Sequence, residues 1–412
     1  MKILILTQYF PPEIGAPQNR LYELAVRLKK FGHEITILTA MPNYPKMEIH
    51  NGYKGRWCMI ENMNGLEIHR TSIFVTKSKG ILNRLMNYYS FVLSSLFYGL
   101  FNIGSQDVVF VESPPLFLGK TGWLLSIMKG SKMIFNVSDL WPESAEKLGL
   151  VKNKFFLKIA YQLEHFLYEQ SWLITGQTQG IVKDIGKRFP KKIVYWLPNG
   201  VDLNFFKVDY YDGLSFRSKM GFSETDFLIL YAGVIGHAQG LEVILNAAEL
   251  LKDKRNIKFV LLGSGPEKDN LIELKTQKNL EFIYFLDPVS KIEMPEIVAA
   301  CNVSVIPLKK LDLFKGAIPS KIFENLAMKK PILLGVEGEA KELFIDEANS
   351  GFFFEPENEK DLAIQILAME KDPDLCVKLG ENGNKFVAQK FERDLIAERF
   401  NVFLQENYIN AE

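Results

Sequence analysis

Cysteine and histidine are scarce in this sequence, which has 3 cysteines and 5 histidines among 412 residues. Cys58, Cys301 and Cys376 stand far apart and form no C-x-x-C pair, which excludes a disulfide framework and a zinc site of that type. We therefore expect the reducing environment of the cytoplasm. The apolar run at residues 3–6 ends without a small-residue cleavage site, so we interpret it as a buried strand and not as a secretion signal.

A metal centre is not indicated either, because the sequence has no His/Cys cluster and no acidic pair at the end of a strand. Asp372-Pro373-Asp374 has the letters of the DxD motif, but it lies in a polar turn between two late helices. We interpret it as a helix cap. We expect no metal and no cofactor, and catalysis that is independent of metal ions.

Net charge is also lacking, but the charges are unevenly distributed. Residues 1–200 hold 24 Lys and Arg against 14 Asp and Glu, which leaves 25 against 35 for residues 201–412. A basic first half favours anionic partners such as a diphosphate or a membrane surface, and an acidic second half argues against nucleic acid. Chance surface charge is the alternative.

Strand-like apolar runs alternate with helical patterns in both halves, which predicts an α/β protein with parallel strands and crossover helices. The runs are residues 3–6, 35–38, 108–111, 133–137 and 193–197, then 228–232, 257–262, 282–285, 303–306 and 331–334. A turn at Pro198-Asn199-Gly200 separates the two series. We predict domains at 1–198 and 199–383. The last segment, 384–412, is expected to be one long helix that packs back on the first domain.

One long segment, from Leu85 to Gln106, contains no charged residue and approaches the length of a membrane span. Polar residues interrupt it, and the surrounding pattern continues an α/β domain. A helix lying in the membrane interface, a buried core helix and a true span are the three interpretations, in that order of preference.

Three glycine-containing loops each follow a strand and precede a helix, which is where backbone N–H groups bind phosphate. The first contains Gly15, Ala16 and Arg20. The second contains Gly236, His237 and Gln239. The third, Gly263-Ser264-Gly265-Pro266, resembles a nicotinamide-cofactor fingerprint but has Lys268 in place of the last glycine. An ordinary strand-to-helix turn is the alternative for the first loop.

The most specific element is Pro319-Ser320-Lys321 followed by Glu324. Pro and Ser open a helix, Lys321 lies in its first turn, and Glu324 follows one turn later. This spacing suits a diphosphate held by Ser320, Lys321 and the helix end, with Glu324 accepting from the hydroxyls of a ribose. A capping glutamate is the alternative.

Together these motifs resemble, over the full length, the family 4 retaining glycosyltransferases of the GT-B fold, which has two facing Rossmann-like domains. The resemblance is strongest to bacterial O-antigen and capsule enzymes of the L-N-acetylfucosamine transferase type. The shared segments are Gly15-Ala16-Pro17, Gly32-His33, Pro42-Asn43-Tyr44-Pro45, Asp139-Leu140-Trp141-Pro142-Glu143, Asn199-Gly200-Val201-Asp202, Gly263-Ser264-Gly265-Pro266, and Glu324 to Pro331. The resemblance implies a UDP-sugar donor, retention at the anomeric carbon, and a polyprenyl-diphosphate-linked glycan as acceptor at the inner membrane.

The sequence departs from the family pattern at the donor site. Family members commonly have two glutamates eight positions apart, and Glu324 matches the second, but Gly316 stands at the first. The usual Arg and Lys of the second-domain loop fall at Val234 and Gln239. Other basic residues must then compensate the diphosphate charge, and the candidates are Lys321, Lys315, His237 and Arg20.

Asp139 and Glu143 follow a strand of the first domain at its carboxyl end, where ligands bind in open parallel sheets. We predict that one of them orients or deprotonates the acceptor hydroxyl, and that Trp141 stacks on a sugar. A helix-start role for Asp139 is the alternative. Two rival functions stay open, a UDP-sugar 2-epimerase of the same fold and a non-catalytic subunit that binds a nucleotide sugar.

Overall fold

The computed structural model describes residues 1–13, 15–44, 46–77, 81–149 and 151–409. The chain divides into two compact units. Unit 1 comprises Met1–Asn199 and Arg393–Glu412, and unit 2 comprises Gly200–Glu392.

Unit 1 is built on an eight-stranded sheet with the order β3-β4-β2-β1-β5-β6-β7-β8. Its pairs are parallel except that β3 runs antiparallel to β4. The strands are β1 Lys2–Leu6, β2 Glu34–Ala40, β3 Cys58–Met63, β4 Leu66–Thr71, β5 Val108–Ser113, β6 Lys132–Val137, β7 Leu173–Gly176 and β8 Ile193–Trp196. The helices are α1 Ala16–Lys30, α2 Ile81–Asn102, α3 Leu118–Lys129, α4 Glu143–Lys147, α5 Lys154–Gln170 and α6 Gln179–Arg188.

Alternate residues of each strand face opposite helical layers, as the two-residue period of a strand requires. Leu4 and Leu6 of β1 pack in one core with α2, α3 and α5. Ile3 and Ile5 pack in a second core with α1. Because both faces of the sheet are covered, its central strands are continuous apolar runs.

Unit 2 has a fully parallel six-stranded sheet with the order β11-β10-β9-β12-β13-β14. The strands are β9 Phe227–Ala232, β10 Ile257–Leu262, β11 Ile283–Leu286, β12 Val303–Pro307, β13 Ile332–Gly335 and β14 Gly351–Phe353. The helices are α7 Leu214–Met220, α8 Glu242–Leu250, α9 Lys268–Gln277, α10 Met294–Ala300, α11 Lys321–Ala327, α12 Glu339–Lys341, α13 Glu359–Lys371 and α14 Pro373–Lys390. This is the strand order of a Rossmann fold. The predicted α/β class with two Rossmann-like domains is therefore confirmed.

The C-terminal segment differs from the single helix expected at 384–412. Helix α14 continues to Lys390, and a separate helix, α15, spans Arg393–Ile409. Phe386 and Phe391, whose apolar character suggested a return to the first domain, instead bury their rings against Phe344 within unit 2. Residues 384–392 thus belong to unit 2, and only the segment from Arg393 belongs to unit 1. There, Phe400 of α15 packs edge-on against Phe110.

Most of the long uncharged segment forms helix α2, whose two faces have different surroundings. Phe91, Val92, Ser95 and Tyr98 are buried in the core of unit 1. The opposite face exposes a row of apolar side chains, namely Met86, Tyr89, Leu93, Phe97 and Phe101, of which Phe97 is 56% and Phe101 80% exposed. Among the described helices, none is both long and apolar enough to span a membrane.

Candidate active site

The glycine loops of unit 2 pack directly against each other at the carboxyl ends of β9 and β10. The N–H of Ile235 donates to the carbonyl of Ser264 at 2.9 Å. A Cβ on Gly263 would lie 1.8 Å from the carbonyl oxygen of Gly233, and a Cβ on Gly265 would lie 2.2 Å from that of Ile235. Both Gly263 and Gly265 also have positive φ. Glycine is therefore required here so that two backbones can approach, as in a dinucleotide-binding edge.

Lys268 has a structural role that differs from that of the glycine it replaces. Its Nζ donates to the carbonyls of Gly263 and Leu286, at 3.1 Å each, and pairs with Asp287 at 2.7 Å. The ammonium group thus ties the end of β10 to the end of β11. This arrangement does not reproduce the close helix approach that the third glycine of a nicotinamide-cofactor fingerprint allows.

The side chain of Lys321 lies against Gly233, at the start of the glycine loop that follows β9. Its Nζ is 3.8 Å from the centroid of the buried Tyr231 ring, and a Cβ on Gly233 would be only 2.9 Å from that nitrogen. The Tyr231 hydroxyl donates to the carbonyl of Val234, which fixes the ring. Burial lowers the pKa of Lys321 to about 7, and the carboxylate of Glu324 opposes this shift. A bound anion would restore the charged form.

The sequence around Lys321 forms a helix start, as expected. Helix α11 begins at Lys321, and Ser320 precedes it with a hydroxyl that caps no backbone N–H. Glu324 is the fourth residue of α11, one position beyond the place of a capping-box glutamate. Pro319, Ser320 and Glu324 are all partly accessible, so the predicted contacts with a nucleotide are sterically possible.

His237 has a basic neighbour that the sequence analysis missed. The ammonium of Lys309 lies 3.0 Å from Nε2 of His237, and the N–H of Lys309 donates to the carbonyl of Ala238 at 3.0 Å. Lys309 follows β12, which is adjacent to β9, at the carboxyl end. Lys309 could have been identified from the sequence by its position directly after a central strand. Lys309 therefore adds a positive charge beside Gly236 and Gln239, where the usual basic pair is absent.

Lys315 is a weaker candidate than the sequence suggested. Its ammonium pairs with Asp312 at 2.7 Å and lies 3.9 Å from Glu337, and the side chain is half exposed. Both carboxylates compete with a diphosphate for this charge. Gly316 stands at the position of the first family glutamate, and among the described residues an added Cβ there would meet open space.

In unit 1, Arg20 is buried in a hydrogen-bonded network at the carboxyl ends of β5, β6 and β7. Its Nη2 donates to Glu112 and to Ser138, at 2.7 Å each. Asn136 donates to the other oxygen of Glu112, and Thr175 donates to Asn136 at 2.6 Å. The pair with Glu112 neutralises Arg20, so Arg20 does not provide the net charge that was predicted to compensate a diphosphate.

Gly15 immediately precedes α1, and no side chain caps this helix. The side chain of Gln18 folds back onto Gly15, where a Cβ would lie 2.3 Å from Oε1 of Gln18. Ala16 is the first residue of α1. The first glycine loop therefore has the predicted position after β1, and its contact with a nucleotide stays a prediction.

Asp139 follows β6 and accepts a hydrogen bond from the hydroxyl of Ser144 at 2.7 Å. Burial raises its pKa, and the charge of Glu143 adds to this effect, so Asp139 is more basic than an exposed aspartate. Glu143 itself pairs with Lys147 at 2.5 Å. Trp141 packs edge-on against Phe117 with ring centroids 5.6 Å apart, which argues against the predicted stacking on a sugar.

Asp372 caps α14, as predicted, by accepting from the N–H of Leu375 at 2.9 Å. Within the described ranges, no group of three or more His, Cys, Asp or Glu side chains is arranged to hold a metal ion.

Comparison with known proteins agrees with this geometry. Residues 214–386 match the family model "Glycosyl transferases group 1". The colanic acid biosynthesis glycosyl transferase WcaI of Escherichia coli (strain K12) is 26% identical over 334 residues, which is 80% of this chain and 81% of that protein.

Solved structures show the same fold over nearly the whole chain. Sucrose-phosphate synthase from Thermosynechococcus elongatus aligns with a TM-score of 0.78 at 15% identity and covers 99% of both chains. Anabaena Alr3699/HepE in complex with UDP-glucose aligns with a TM-score of 0.73 at 18% identity, covering 98% of this chain and 100% of that one.

The two Rossmann-like units and the family match define a glycosyltransferase of the GT-B fold. The family match covers residues 214–386, which form most of unit 2. Because the protein is an enzyme of this class, a purely non-catalytic role is disfavoured.

Proposed function

We propose that this enzyme transfers a sugar from a UDP-sugar to a lipid-linked glycan during assembly of a bacterial surface polysaccharide, with retention at the anomeric carbon. The observation that carries the proposal is the edge of unit 2, where two glycine loops pack together beside Lys321 and Glu324. Complexes of the similar HepE with UDP-glucose and the name of WcaI support the donor and the pathway class. An N-acetylated hexosamine or deoxyhexosamine is the proposed sugar.

In this proposal Glu324 accepts from the ribose hydroxyls, and Lys321 binds the diphosphate beside the glycine loops. Lys309 and His237 take the place of the basic residues absent at Val234 and Gln239. The phosphate charge grows as the glycosidic bond breaks, so these groups stabilise the transition state more than the ground state. Asp139 orients the acceptor hydroxyl, whose proton passes to the leaving phosphate.

The test incubates the protein with a panel of UDP-sugars and bacterial membrane lipid extract, and identifies the product by mass and its anomeric configuration by NMR. We expect a glycolipid with the donor's configuration, and a much lower rate for Lys321→Gln. Formation of a 2-epimer without acceptor would instead identify a UDP-sugar 2-epimerase. Consumption of no donor by the wild type would refute the proposal.

We also propose that unit 1 docks on the inner leaflet of the cytoplasmic membrane. The exposed apolar row of α2 lies in the same helical layer as α5, which exposes Phe155 and Ile159. Exposed lysines at 152, 154 and 158 lie close to these two residues in the sequence. Apolar side chains flanked by lysine suit an anionic lipid surface, to which each lysine contributes about 1 kcal/mol.

Replacement of Phe97 and Phe101 by Asp tests this docking without disturbing the core, because both side chains are mostly exposed. We expect the double variant to leave anionic liposomes while it keeps its unfolding midpoint and its affinity for UDP. The matched control is Ile364→Asp with Val377→Asp, two similarly exposed apolar residues of unit 2. Equal liposome binding by the Phe97/Phe101 variant and the wild type would refute the docking.

A further inference from the structure

Near the carboxyl edge of the sheet in unit 1, some buried polar atoms have no hydrogen-bond partner among the described residues. They include Oε1 of Gln8, Oε1 of Gln18 and Nη1 of Arg20. These three residues are only 1%, 4% and 8% exposed. Buried polar atoms are almost always paired in folded proteins, so unpaired ones require an explanation. A bound ligand at this edge would supply the partners.

The pairing of Arg20 engages one terminal nitrogen of its guanidinium, and Nη1 has no partner among the described residues. Nη2 makes both contacts, to Glu112 and Ser138, whereas a bidentate pair would also engage a second nitrogen. Both oxygens of Glu112 are occupied, by Arg20, Ser138 and Asn136. Glu112 therefore holds Arg20 in place, and Nη1 remains a donor for something else.

The charge of this group decides what Arg20 can bind. Glu112 pairs with Arg20 at 2.7 Å and neutralises it. A site with no net positive charge does not favour a diphosphate. A neutral, hydroxyl-bearing ligand matches the unpaired N–H of Arg20.

We propose that Arg20, held by Glu112, is a specificity-determining contact for the hydroxyl or amide oxygens of a sugar. This inference rests on the proposed function and names the substrate group that unit 1 recognises. The sugar is either the one carried by the donor or the terminal sugar of the acceptor, and both present the same chemistry.

Arg20→Lys tests the proposal, because lysine keeps the positive charge beside Glu112 but has no second nitrogen. The control is Arg188→Lys in the same unit, where Arg188 pairs with the buried Glu164 and also with Asp184. Unfolding midpoints of both variants are compared with the wild type. Affinities for UDP and for UDP-N-acetylglucosamine are measured by calorimetry, and the transfer rate is measured against the concentration of lipid extract.

We expect Arg20→Lys to bind UDP within twofold of the wild type. If the donor's sugar is the ligand, the affinity for UDP-N-acetylglucosamine falls about tenfold. If the acceptor's sugar is the ligand, the half-saturating extract concentration rises about tenfold instead. Arg188→Lys should change neither quantity.

Two outcomes would overturn the inference. No change in either quantity would mean that Nη1 holds only water, and equal losses for UDP and the UDP-sugar would make Arg20 a phosphate ligand. A wild type that binds the UDP-sugar but transfers nothing would refute the proposed function, and the donor binding measurement would still decide the role of Arg20.

Discussion

Raising the pH from 7 to 9 should weaken the binding of UDP-glucose through Lys321. The ammonium lies 3.8 Å from the centroid of the Tyr231 ring, and burial lowers the pKa of Lys321 to about 7. A diphosphate beside it favours the charged form, so binding should restore the pKa towards its ordinary value and take up a proton. The affinity for UDP-glucose is therefore greatest below pH 7 and falls as the pH rises.

The magnitude follows from the charged fraction of Lys321 in the free protein. That fraction is about one-half at pH 7 and about one-hundredth at pH 9, for a pKa of about 7. If the charged form alone binds, the affinity falls about 50-fold over this range, or about 2.3 kcal/mol. Between pH 6 and pH 7 the change should be less than about twofold.

Calorimetry in buffers with different ionisation enthalpies measures the proton uptake directly. We expect about one-half of a proton at pH 7 and about 0.9 at pH 8. Lys321→Gln should abolish the uptake. Lys310→Gln is the control, because Lys310 is an exposed lysine of unit 2 that pairs with Glu355. Zero uptake at pH 8 by the wild type, or unchanged uptake by Lys321→Gln, would refute the reasoning.

Two further substitutions test the edge of unit 2. Glu324→Ala should weaken UDP binding by about 1.5–3 kcal/mol per lost hydrogen bond without unfolding the protein. An affinity within twofold of the wild type would remove the ribose role. Gly263→Ala places a Cβ 1.8 Å from the Gly233 oxygen at a φ of 151°, so chemical denaturation should show a loss of about 1–3 kcal/mol. Gly316→Ala, with open space around its Cβ, should be neutral, and equal stability of both variants would contradict the packing argument.

Ten of the fourteen described strands could be predicted, because a parallel strand buried on both faces is a continuous apolar run. The sequence analysis did not include β3, β4, β7 and β14. The run at 257–262 coincides with β10, and the glycine loops follow β9 and β10 as expected. Glu324 and Lys321 could be identified because their spacing within one helical turn is local. Their contacts with substrate remain predictions.

What the sequence could not show depends on contacts between distant segments. Arg20 and Glu112 are 92 positions apart, and no local pattern links α1 to β5. Glu112 is the next-to-last residue of the apolar strand β5, and the sequence analysis did not consider it as a partner of Arg20. Lys309 stands beside His237 only because β12 is adjacent to β9. Phe391 was assigned to the first domain and lies in unit 2, because apolar character does not indicate which of two cores a side chain joins.

The return of the chain to unit 1 through α15 has a consequence for the order of synthesis. Unit 2 is complete once Glu392 has been made, whereas unit 1 still lacks the buried side chains of Ala397, Phe400 and Leu404. On the ribosome, synthesis of unit 1 therefore begins before that of unit 2 and is completed after it. Until α15 emerges, the nascent first half carries an uncovered apolar face on α1 and β5, and a chain truncated before Arg393 would keep that face exposed to aggregation.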